Sequence, residues 1–358
     1  MRIDQWVPAF HRGDAIGDEA RHLRHFFRQQ GFDSEIYCLD RDEGLEEESR
    51  LFQEFRPGGK EDIVILHYAL PSPLSYELIR ISSRRVLIHH NVTSPEFFEG
   101  FSEEMVRIAR LGQRELRQLA PFVDLGLADS EFNRLELESL GFRRTAVFPL
   151  FIDFGRYQKP ANPFLRKIYR DGRTNILFVG RVVPNKKIED LIKVTFYFKK
   201  YISPLVRLIV VGKTTSLPKY FECLIKLVDD FYLQPEEVLF TGHVPDEDLY
   251  AYYQVADVFL SLSEHEGFCL PLLECMIFDL PVIAYAAGAV ASTLDGAGIL
   301  LKQKRVAEIA ELVALLNQDE KLRSKIVQGQ KERLERFRSF PREKYLLSLL
   351  ESLFQDKS

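Results

Sequence analysis

The chain has 358 residues, of which 46% are hydrophobic and 28% charged, so it can bury the cores of two ordinary domains and is neither disordered nor a small disulfide-stabilised protein. Its net charge of −5 argues against a nucleic-acid-binding protein, whose surface would be strongly basic. Its longest uncharged apolar stretch, residues 280–294, is shorter than the roughly 20 residues that cross a bilayer.

Two features of the sequence bear on where the chain works. Asp4 stands where a signal peptide would need its apolar core, so we expect a cytoplasmic protein. The cysteines form no CxxC pair and most of them lie in apolar contexts, which predicts reduced thiols. They are Cys38, Cys223, Cys269 and Cys275.

Short runs of Val, Ile, Leu and Phe alternate with helical stretches, a pattern typical of parallel sheets covered by helices on both faces. In the first half, strands are predicted at residues 2–7, 35–39, 63–67, 86–90, 125–128 and 146–150. In the second half they are predicted at residues 175–179, 206–211, 238–241, 258–262, 281–285 and 298–301. Helices are predicted at residues 18–30, 103–119, 307–316 and 321–338, and a separate amphipathic helix at 341–354. Between the two α/β series the periodicity breaks down over residues 151–173, where we place a linker.

The loop after the first strand, residues 12–17, contains Gly13 and Asp14 and allows a close backbone approach to a ligand. It does not match G-x-G-x-x-G, so a nicotinamide dinucleotide site is disfavoured. The alternative role of Asp14 and Asp18 is to cap the helix that follows.

His89, His90 and Asn91 stand at the end of a predicted strand, on the side of a parallel sheet where ligands bind. His90 can hydrogen-bond a substrate hydroxyl or phosphate, and His67 ends the preceding strand along the same edge. The alternative is that His90 is a structural histidine.

A stripe of arginines recurs at i, i+3, i+7 and i+10 of one predicted helix. It is a candidate surface for a phosphate-bearing lipid acceptor or for the anionic inner leaflet of a membrane. The alternative is a solvated helix face paired with Glu103, Glu104 and Glu115. The stripe consists of Arg107, Arg110, Arg114 and Arg117.

The first strand of the second half ends at Gly180 and Arg181, and Lys186 and Lys187 follow before a helix. Ligands bind at the loops that follow parallel strands, and two cations there can neutralise a diphosphate. A solvated charge cluster beside a helix start is the alternative.

The sharpest motif has Glu266 in a loop after a strand and Glu274 inside the next helix. The backbone amides of Gly267, Phe268 and Cys269 lie between them, near a helix N-terminus that favours anions. This arrangement suits a phosphate flanked by two hydroxyl-bearing groups. The alternative is a pair of surface acids near a helix start.

Together these residues resemble the retaining glycosyltransferases of family 4, which have the GT-B fold and an E-x7-E motif. The resemblance covers nearly the whole chain and is most specific in the second half. It implies two Rossmann-like βαβ domains facing each other across a cleft. The acceptor domain would comprise residues 1–155 and a returning C-terminal helix 341–358, and the donor domain residues 156–340. The segments that carry the resemblance are residues 13–15, 90–91, 128–133, 179–181 with Lys186, 240–244, 256–258, and Glu266 with Glu274.

The resemblance also implies roles for single residues. Arg181 and Lys186 would neutralise the donor diphosphate, and Glu266 would hold the sugar. Glu274 would hold the ribose hydroxyls, and His90 would contact the sugar near the reacting carbon. The expected catalytic residues are thus His90, Arg181, Lys186 and Glu266. The expected donor-binding residues are Gly13, Asp14, Gly180, Lys187, Gly242, His243, Val244, Gly267, Phe268, Cys269 and Glu274.

No side chain in these motifs is an obvious nucleophile, which fits the front-face mechanism that the resemblance implies. Lys187 stands where the family often has glycine, so which lysine reaches the phosphate is open. Residues 246–248 read D-x-D, a pattern with which other glycosyltransferases hold a metal. Because they follow Pro245 and open a helix, we interpret them as a helix-start acid cluster. We therefore expect neither a metal nor a cofactor.

The expected activity is that of a retaining hexosyltransferase (EC 2.4.1 type) that moves a mannose- or glucose-type hexose from a nucleoside-diphosphate sugar. The expected acceptor is a hydroxyl of a glycan or polyprenyl-linked sugar, in surface polysaccharide or glycolipid biosynthesis. The enzyme would be cytoplasmic, with peripheral contact to the anionic inner membrane face. The alternatives are a non-catalytic sugar-nucleotide-binding partner subunit and a nucleotide-sugar epimerase on the same fold.

Overall fold

The computed structural model describes residues 1–355 and divides into two compact units. Unit 1 comprises Met1–Pro95, Glu104–Ile152 and the chain from Pro341 onward, and unit 2 comprises Glu96–Glu103 and Asp153–Phe340. The last part of the expected C-terminal helix, residues 356–358, lies outside the described residues.

Unit 1 contains a seven-stranded sheet in the order β3-β2-β1-β4-β5-β6-β7, with all neighbours parallel. Every strand predicted in the first half is present. The added strand β3 pairs only two residues with β2 at the sheet edge, too short an apolar run to predict. The strands are β1 (Ile3–Phe10), β2 (Ile36–Arg41), β3 (Arg50–Leu51), β4 (Ile63–Tyr68), β5 (Arg84–His89), β6 (Leu125–Ala128) and β7 (Thr145–Val147).

Two of the helices between β1 and β7 begin at a side chain that caps them. Asp14 accepts a hydrogen bond from the Gly17 amide, and Ser130 accepts one from the Asn133 amide. The apolar stripe of the first helix, with Leu23 and Phe27, is buried against the sheet. These helices are α1 (Ala15–Gln29), α2 (Pro73–Arg80), α3 (Glu103–Leu119) and α4 (Glu131–Ser139).

Residues 96–103 were expected in the first domain but group with unit 2. Their aromatic side chains explain this, because the ring of Phe97 lies 5.9 Å from that of His265 and the ring of Phe101 lies 5.3 Å from that of Tyr220. The predicted first domain is therefore interrupted by a short segment that packs with the other unit.

Unit 2 contains a six-stranded parallel sheet in the order β10-β9-β8-β11-β12-β13, and every strand predicted in the second half is present. The chain order reverses at β8, which lies between β9 and β11, and such switch points are where open α/β sheets bind ligands. The strands are β8 (Thr174–Val179), β9 (Val206–Val211), β10 (Val238–Gly242), β11 (Val258–Ser261), β12 (Val282–Tyr285) and β13 (Ile299–Leu301).

The predicted linker is more ordered than its composition suggests. It contains a 3-10 turn at Arg156–Gln158 and a short helix, and Arg156 pairs with Asp246 at 2.6 Å. Asn162 donates to the Asp248 carboxylate at 2.7 Å, so the segment is fixed to unit 2. The helices of unit 2 are α5 (Pro163–Ile168), α6 (Ile188–Tyr201), α7 (Pro218–Asp230), α8 (Asp246–Val255), α9 (Leu270–Ile277), α10 (Val290–Leu294), α11 (Val306–Gln318) and α12 (Glu320–Ser339).

The last helix, α13 (Arg342–Gln355), packs on unit 1. Leu346, Leu350 and Leu353 join the core formed by β1, β4, β5 and α1. At its start Arg342 pairs with the buried Glu19 and donates to the Pro149 carbonyl at 2.6 Å.

The environment of the cysteines agrees with their predicted free state. Cys38, Cys269 and Cys275 are buried and Cys223 is exposed, and none forms a disulfide among the described residues. Within residues 1–355 we find no helix with the length and apolarity of a membrane span.

Candidate active site

The candidate site of unit 2 lies at the carboxyl edge of its sheet, where β8 and β11 end side by side. Gly180 follows β8 directly, and its amide donates to the Val211 carbonyl at 2.9 Å. Gly212 faces it so closely that a Cβ there would lie 2.1 Å from the Gly180 carbonyl oxygen. Arg181 is exposed, and its guanidinium makes no hydrogen bond or ion pair within the described part of the chain. A cation is thus presented at the switch point.

A buried ion pair joins the two predicted motifs of this unit. Lys186, in a 3-10 turn at Pro184–Lys186, places its Nζ 2.7 Å from both carboxylate oxygens of Glu266. Glu266 is only 5% exposed, so the alternative of an isolated surface acid is wrong for this residue. The ion pair thus brings together the Lys186 loop and the Glu266 loop, which are far apart along the chain.

Lys187 points to a different set of acids. Its Nζ lies 3.3 Å from Glu264 and 3.6 Å from Glu189. Burial disfavours the charged form, but the neighbouring carboxylates of Glu189 and Glu264 outweigh it and raise the pKa of Lys187. Its backbone is left-handed, with φ of 53°, which suits the glycine often found there in the resembled family. Lys186 is therefore the lysine joined to Glu266.

As predicted, Glu266 lies in the loop after β11 and Glu274 lies inside α9. The amides of Gly267, Phe268 and Cys269 donate no hydrogen bond to other parts of residues 1–355. Cys269 precedes the helix in a left-handed conformation, and burial raises the pKa of its thiol well above the usual value, so it stays neutral. These unpaired donors at a helix start form a site suited to an anion.

Gly288 is a residue of this site that sequence reasoning missed. Its φ is +55°, and a Cβ there would lie 2.2 Å from the carbonyl oxygen of Glu266. That carbonyl accepts a hydrogen bond of 2.9 Å from the Ala289 amide. The backbone of Glu266 is thus held by the loop after β12. Inspecting the glycine that follows each strand would have identified this position.

The substitution Gly288→Ala should destabilise the chain by about 1–3 kcal/mol, because the new methyl group overlaps the backbone of Glu266. The free energy of unfolding in urea measures this. Gly329→Ala is the matched control, because Gly329 lies inside α12 and a Cβ at this position meets no atom within 4 Å. It should stabilise by up to about 1 kcal/mol. Equal free energies of unfolding for Gly288→Ala and the unchanged protein would contradict this role of Gly288.

Glu274 is buried, with 8% exposure, which excludes the surface-acid alternative for it as well. Its carboxylate accepts hydrogen bonds from the hydroxyls of Tyr157, at 2.8 Å, and Tyr253, at 2.6 Å. Burial raises the pKa of Glu274 despite these bonds. Neither tyrosine was predicted, because they come from the linker segment and from α8, distant from Glu274 in sequence.

Three of the expected donor-binding residues, Gly242, His243 and Val244, lie at the end of β10, on the same edge of the sheet. Gly242 has φ of 73°, and its carbonyl accepts from the Gly212 amide at 2.9 Å. His243 is exposed and Val244 half-buried, so the backbone here is accessible.

The D-x-D run forms the first turn of α8, as its position after Pro245 predicts. The hydrogen bond from Arg156 lowers the pKa of Asp246, and Asp248 accepts from Asn162. Residues 1–355 contain no group of three or more His, Cys, Asp or Glu side chains placed to hold a metal ion.

In unit 1 the loop after β1 carries the expected Gly13 and Asp14. Gly13 has φ of 71°, a conformation that glycine adopts without strain. The carboxylate of Asp14 accepts from the Gly17 amide at 3.3 Å, so this acid has the capping role considered as an alternative. Asp18 pairs with Arg21 at 2.9 Å.

A hydrogen-bonded chain of side chains crosses the carboxyl half of the unit 1 sheet. Asp129, after β6, lies 3.0 Å from Nδ1 of His90, whose Nε2 lies 3.0 Å from Nδ1 of His67. Nε2 of His67 in turn lies 3.0 Å from the Gln5 carbonyl oxygen, and the Gln5 amide nitrogen donates to Ala20. Because Gln5 offers an acceptor here, His67 donates through Nε2 and accepts from His90 through Nδ1.

The environments of His67 and His90 shift their pKa values in opposite directions. Burial, aided by the neighbouring His90, lowers the pKa of His67 well below its usual value, so His67 is neutral. Burial also acts against the charged form of His90, but the Asp129 carboxylate outweighs it and raises the pKa of His90. We expected His90 to contact the sugar, but within the described residues both of its ring nitrogens are engaged by His67 and Asp129. Contact with a sugar through nitrogen requires one of these bonds to break.

Part of the chain is similar in sequence to known glycosyltransferases. Residues 164–333 match the family described as Glycosyl transferases group 1. The chain is 28% identical over 229 residues to the GDP-mannose-dependent alpha-mannosyltransferase of Mycobacterium tuberculosis (strain CDC 1551 / Oshkosh), covering 63% of this chain and 56% of that protein. It is 27% identical over 277 residues to the D-inositol 3-phosphate glycosyltransferase of Nocardia farcinica (strain IFM 10152), covering 74% and 61%. The matches thus span less than two thirds of these relatives.

A solved structure extends the likeness to both units. The structure of Anabaena Alr3699/HepE in complex with UDP-glucose is similar with a TM-score of 0.74 and 18% identity, covering 98% of this chain and 100% of that one. Its likeness shows the fold, two parallel sheets with interleaved helices. The match to the group 1 family over residues 164–333 and the two-domain α/β fold are thus features that the chain shares with GT-B glycosyltransferases.

Proposed function

We propose that the chain is a retaining hexosyltransferase of family 4 that uses a nucleoside-diphosphate sugar. The observation that carries the proposal is the buried Lys186–Glu266 pair beside the unpaired amides of residues 267–269. This pair lies at the sheet's switch point inside the group 1 domain. The same edge offers a cation, amide donors and a second buried carboxylate, which are the groups that a sugar joined to a diphosphate requires.

Lys186 and Arg181 bind the diphosphate and stabilise it as it leaves. The ammonium of Lys186 has three N–H donors, so one remains for a phosphate oxygen while two contact Glu266. Glu266 binds sugar hydroxyls, and Glu274 binds the ribose. The amides of Gly267 and Phe268 contribute further donors to the phosphate.

Transfer occurs on one face of the sugar. The bond between the anomeric carbon and the phosphate oxygen breaks, and the acceptor oxygen bonds to that carbon from the same side. The departing phosphate oxygen takes the acceptor's proton, so no protein nucleophile is needed. No metal is proposed, since Arg181 and Lys186 supply the positive charge.

The donor sugar is of the mannose or glucose type. One relative is named for GDP-mannose, and the similar solved structure holds UDP-glucose. The acceptor is a hydroxyl of a glycan or polyprenyl-linked sugar, in surface polysaccharide or glycolipid synthesis. The acceptor class follows from the resemblance rather than from any single contact.

The test is incubation of the purified chain with GDP-mannose or UDP-glucose, with and without glycan acceptors, followed by NMR of the product. The proposal predicts acceptor-dependent release of nucleoside diphosphate and an α-linked product from the α-linked donor. A β-linked product would contradict retention. Conversion of donor to an epimer without acceptor would identify the epimerase alternative, and binding of donor without turnover would identify a partner subunit.

We further propose that α3 contacts an anionic membrane at its inner face. All four arginines of the stripe at residues 107–117 are exposed, and Leu111 beside them is 48% exposed. Glu115, considered as their partner, is instead buried and accepts from Ser72 and Ser75. Each cation near such a surface contributes roughly 1 kcal/mol.

Replacing the four stripe arginines by glutamate should abolish co-sedimentation with anionic liposomes at low salt. The matched control reverses four exposed lysines of unit 2 instead, and should leave binding unchanged. If the unchanged protein does not bind these liposomes, or if the arginine variant and the lysine control bind them equally, α3 is not a membrane-binding surface. The control lysines are Lys302, Lys321, Lys325 and Lys331.

A further inference from the structure

We propose that Tyr157 and Tyr253 are positioning residues that orient the Glu274 carboxylate toward the vicinal hydroxyls of the donor ribose. The inference rests on the proposed function, because it takes Glu274 as the ribose contact. It adds that a side chain of the segment predicted as a linker, Tyr157, takes part in recognition of the nucleotide.

The two phenols hold the carboxylate from different sides. The hydroxyl of Tyr157 lies 2.8 Å from Oε1 of Glu274, and that of Tyr253 lies 2.6 Å from Oε2. Tyr253 and Glu274 are both buried. With one donor on each oxygen, rotation of the carboxylate group breaks at least one bond, so its plane is fixed.

This arrangement leaves acceptor capacity for a diol. A carboxylate has about four acceptor positions, and the phenols use one on each oxygen. One position per oxygen remains, which matches two neighbouring hydroxyl donors. Among the described residues Glu274 forms no ion pair, and Arg156, whose charge also acts on it, pairs with Asp246 instead. A buried carboxylate without such donors carries a desolvation penalty, which favours binding of a ligand that donates hydrogen bonds.

Tyr157 is itself held in place. Its ring packs on those of Tyr250 and Phe278, with centroids 5.6 Å and 6.1 Å apart. The preceding residue, Arg156, pairs with Asp246 and its carbonyl accepts from the Tyr250 hydroxyl at 3.1 Å. The segment therefore presents its phenol to Glu274 from an anchored backbone.

The experiment compares Tyr157→Phe and Tyr253→Phe with Tyr252→Phe. The control removes a buried phenol of the same helix, α8, whose ring packs on Tyr169 with centroids 5.6 Å apart and whose hydroxyl does not reach Glu274. Dissociation constants are measured by calorimetry for UDP, GDP and their 2′-deoxy and 3′-deoxy analogues, and thermal unfolding verifies that each variant is folded.

The unchanged protein should bind the ribonucleotide more tightly than the deoxy analogues. In Tyr157→Phe and Tyr253→Phe, ribonucleotide binding should weaken about tenfold, with little change for the deoxy analogues, because one orienting bond is lost. Tyr252→Phe should keep the full preference. A purely structural defect would weaken all nucleotides together and leave the ratio unchanged.

The outcomes distinguish a failure of this inference from a failure of the proposed ribose role of Glu274 on which it rests. If the unchanged protein binds none of the probes, or binds ribo and deoxy forms alike, the ribose role of Glu274 fails, and the inference with it. If it discriminates, but both Glu274-contacting variants discriminate as strongly as Tyr252→Phe, the ribose role stands and the positioning role is overturned.

Discussion

Replacing Lys186 by alanine, or Glu266 by alanine, should lower kcat/KM for sugar transfer by at least about 10²–10³-fold, the usual effect of removing one group that stabilises transition-state charge. Among the described residues, Lys186 is the only lysine that pairs with Glu266, and its Nζ lies 2.7 Å from both carboxylate oxygens. In the proposed mechanism, loss of the ammonium removes positive charge from the leaving diphosphate. Loss of the carboxylate removes the proposed sugar contact and the group that pairs with Lys186.

A surface ion pair of the same type provides the control. Lys331 lies 2.8 Å from Asp279, and both side chains are half-exposed, so Lys331→Ala should leave kinetics unchanged. Circular dichroism and thermal unfolding show whether Lys186→Ala and Glu266→Ala remain folded. Full activity in both folded variants would show that Lys186 and Glu266 have no role in sugar transfer.

The substitution Asp129→Asn should lower the free energy of unfolding by about 3–5 kcal/mol near pH 6, because it removes the counter-ion of a buried, charged His90. The Asp129 carboxylate raises the pKa of His90 above the value of an unfolded histidine. The stability from this pair is therefore fully present below about pH 6.5, the pKa of an unfolded histidine, and is lost as pH rises through the folded-state pKa.

Urea unfolding of the unchanged protein and of Asp129→Asn between pH 5.5 and 9 measures how this stabilisation depends on pH. The difference in free energy of unfolding should shrink toward zero at the alkaline end. Asp42→Asn is the control, since Asp42 lies 2.8 Å from Nδ1 of His11 in an exposed pair and should matter far less. A difference that stays constant across this pH range would mean that Asp129 does not act through the charge of His90.

Most of the architecture was readable from local patterns. Buried parallel strands are continuous apolar runs, so β1, β2 and β4 to β13 were all predicted, whereas the two-residue pairing of β3 has no such run. The helix that carries Glu274 and the loop that carries Glu266 were predicted from the same reasoning. The burial of both acids was not, because charged residues are rarely buried unless they have partners.

Those partners depend on strand order, which local patterns do not contain. The contact of His67 with Gln5 exists because β1 and β4 are neighbours, and that of His90 with Asp129 exists because β5 and β6 end side by side. In the same way Tyr157 reaches Glu274 only because its segment folds back on α8. Local sequence therefore proposes candidate side chains for the site, and tertiary packing decides their partners and orientation.

Thermal unfolding in the presence of uridine, guanosine and adenosine diphosphate sugars tests donor binding most directly. A ligand at 100 times its Kd adds about 2.7 kcal/mol to the free energy of unfolding. We predict that at least one of these sugars raises the Tm of the unchanged protein in a saturable way, that Lys186→Ala loses the shift, and that Lys331→Ala keeps it. The absence of a shift with every member of the panel, or an undiminished shift in Lys186→Ala, would contradict a nucleotide-sugar site built on Lys186 and Glu266.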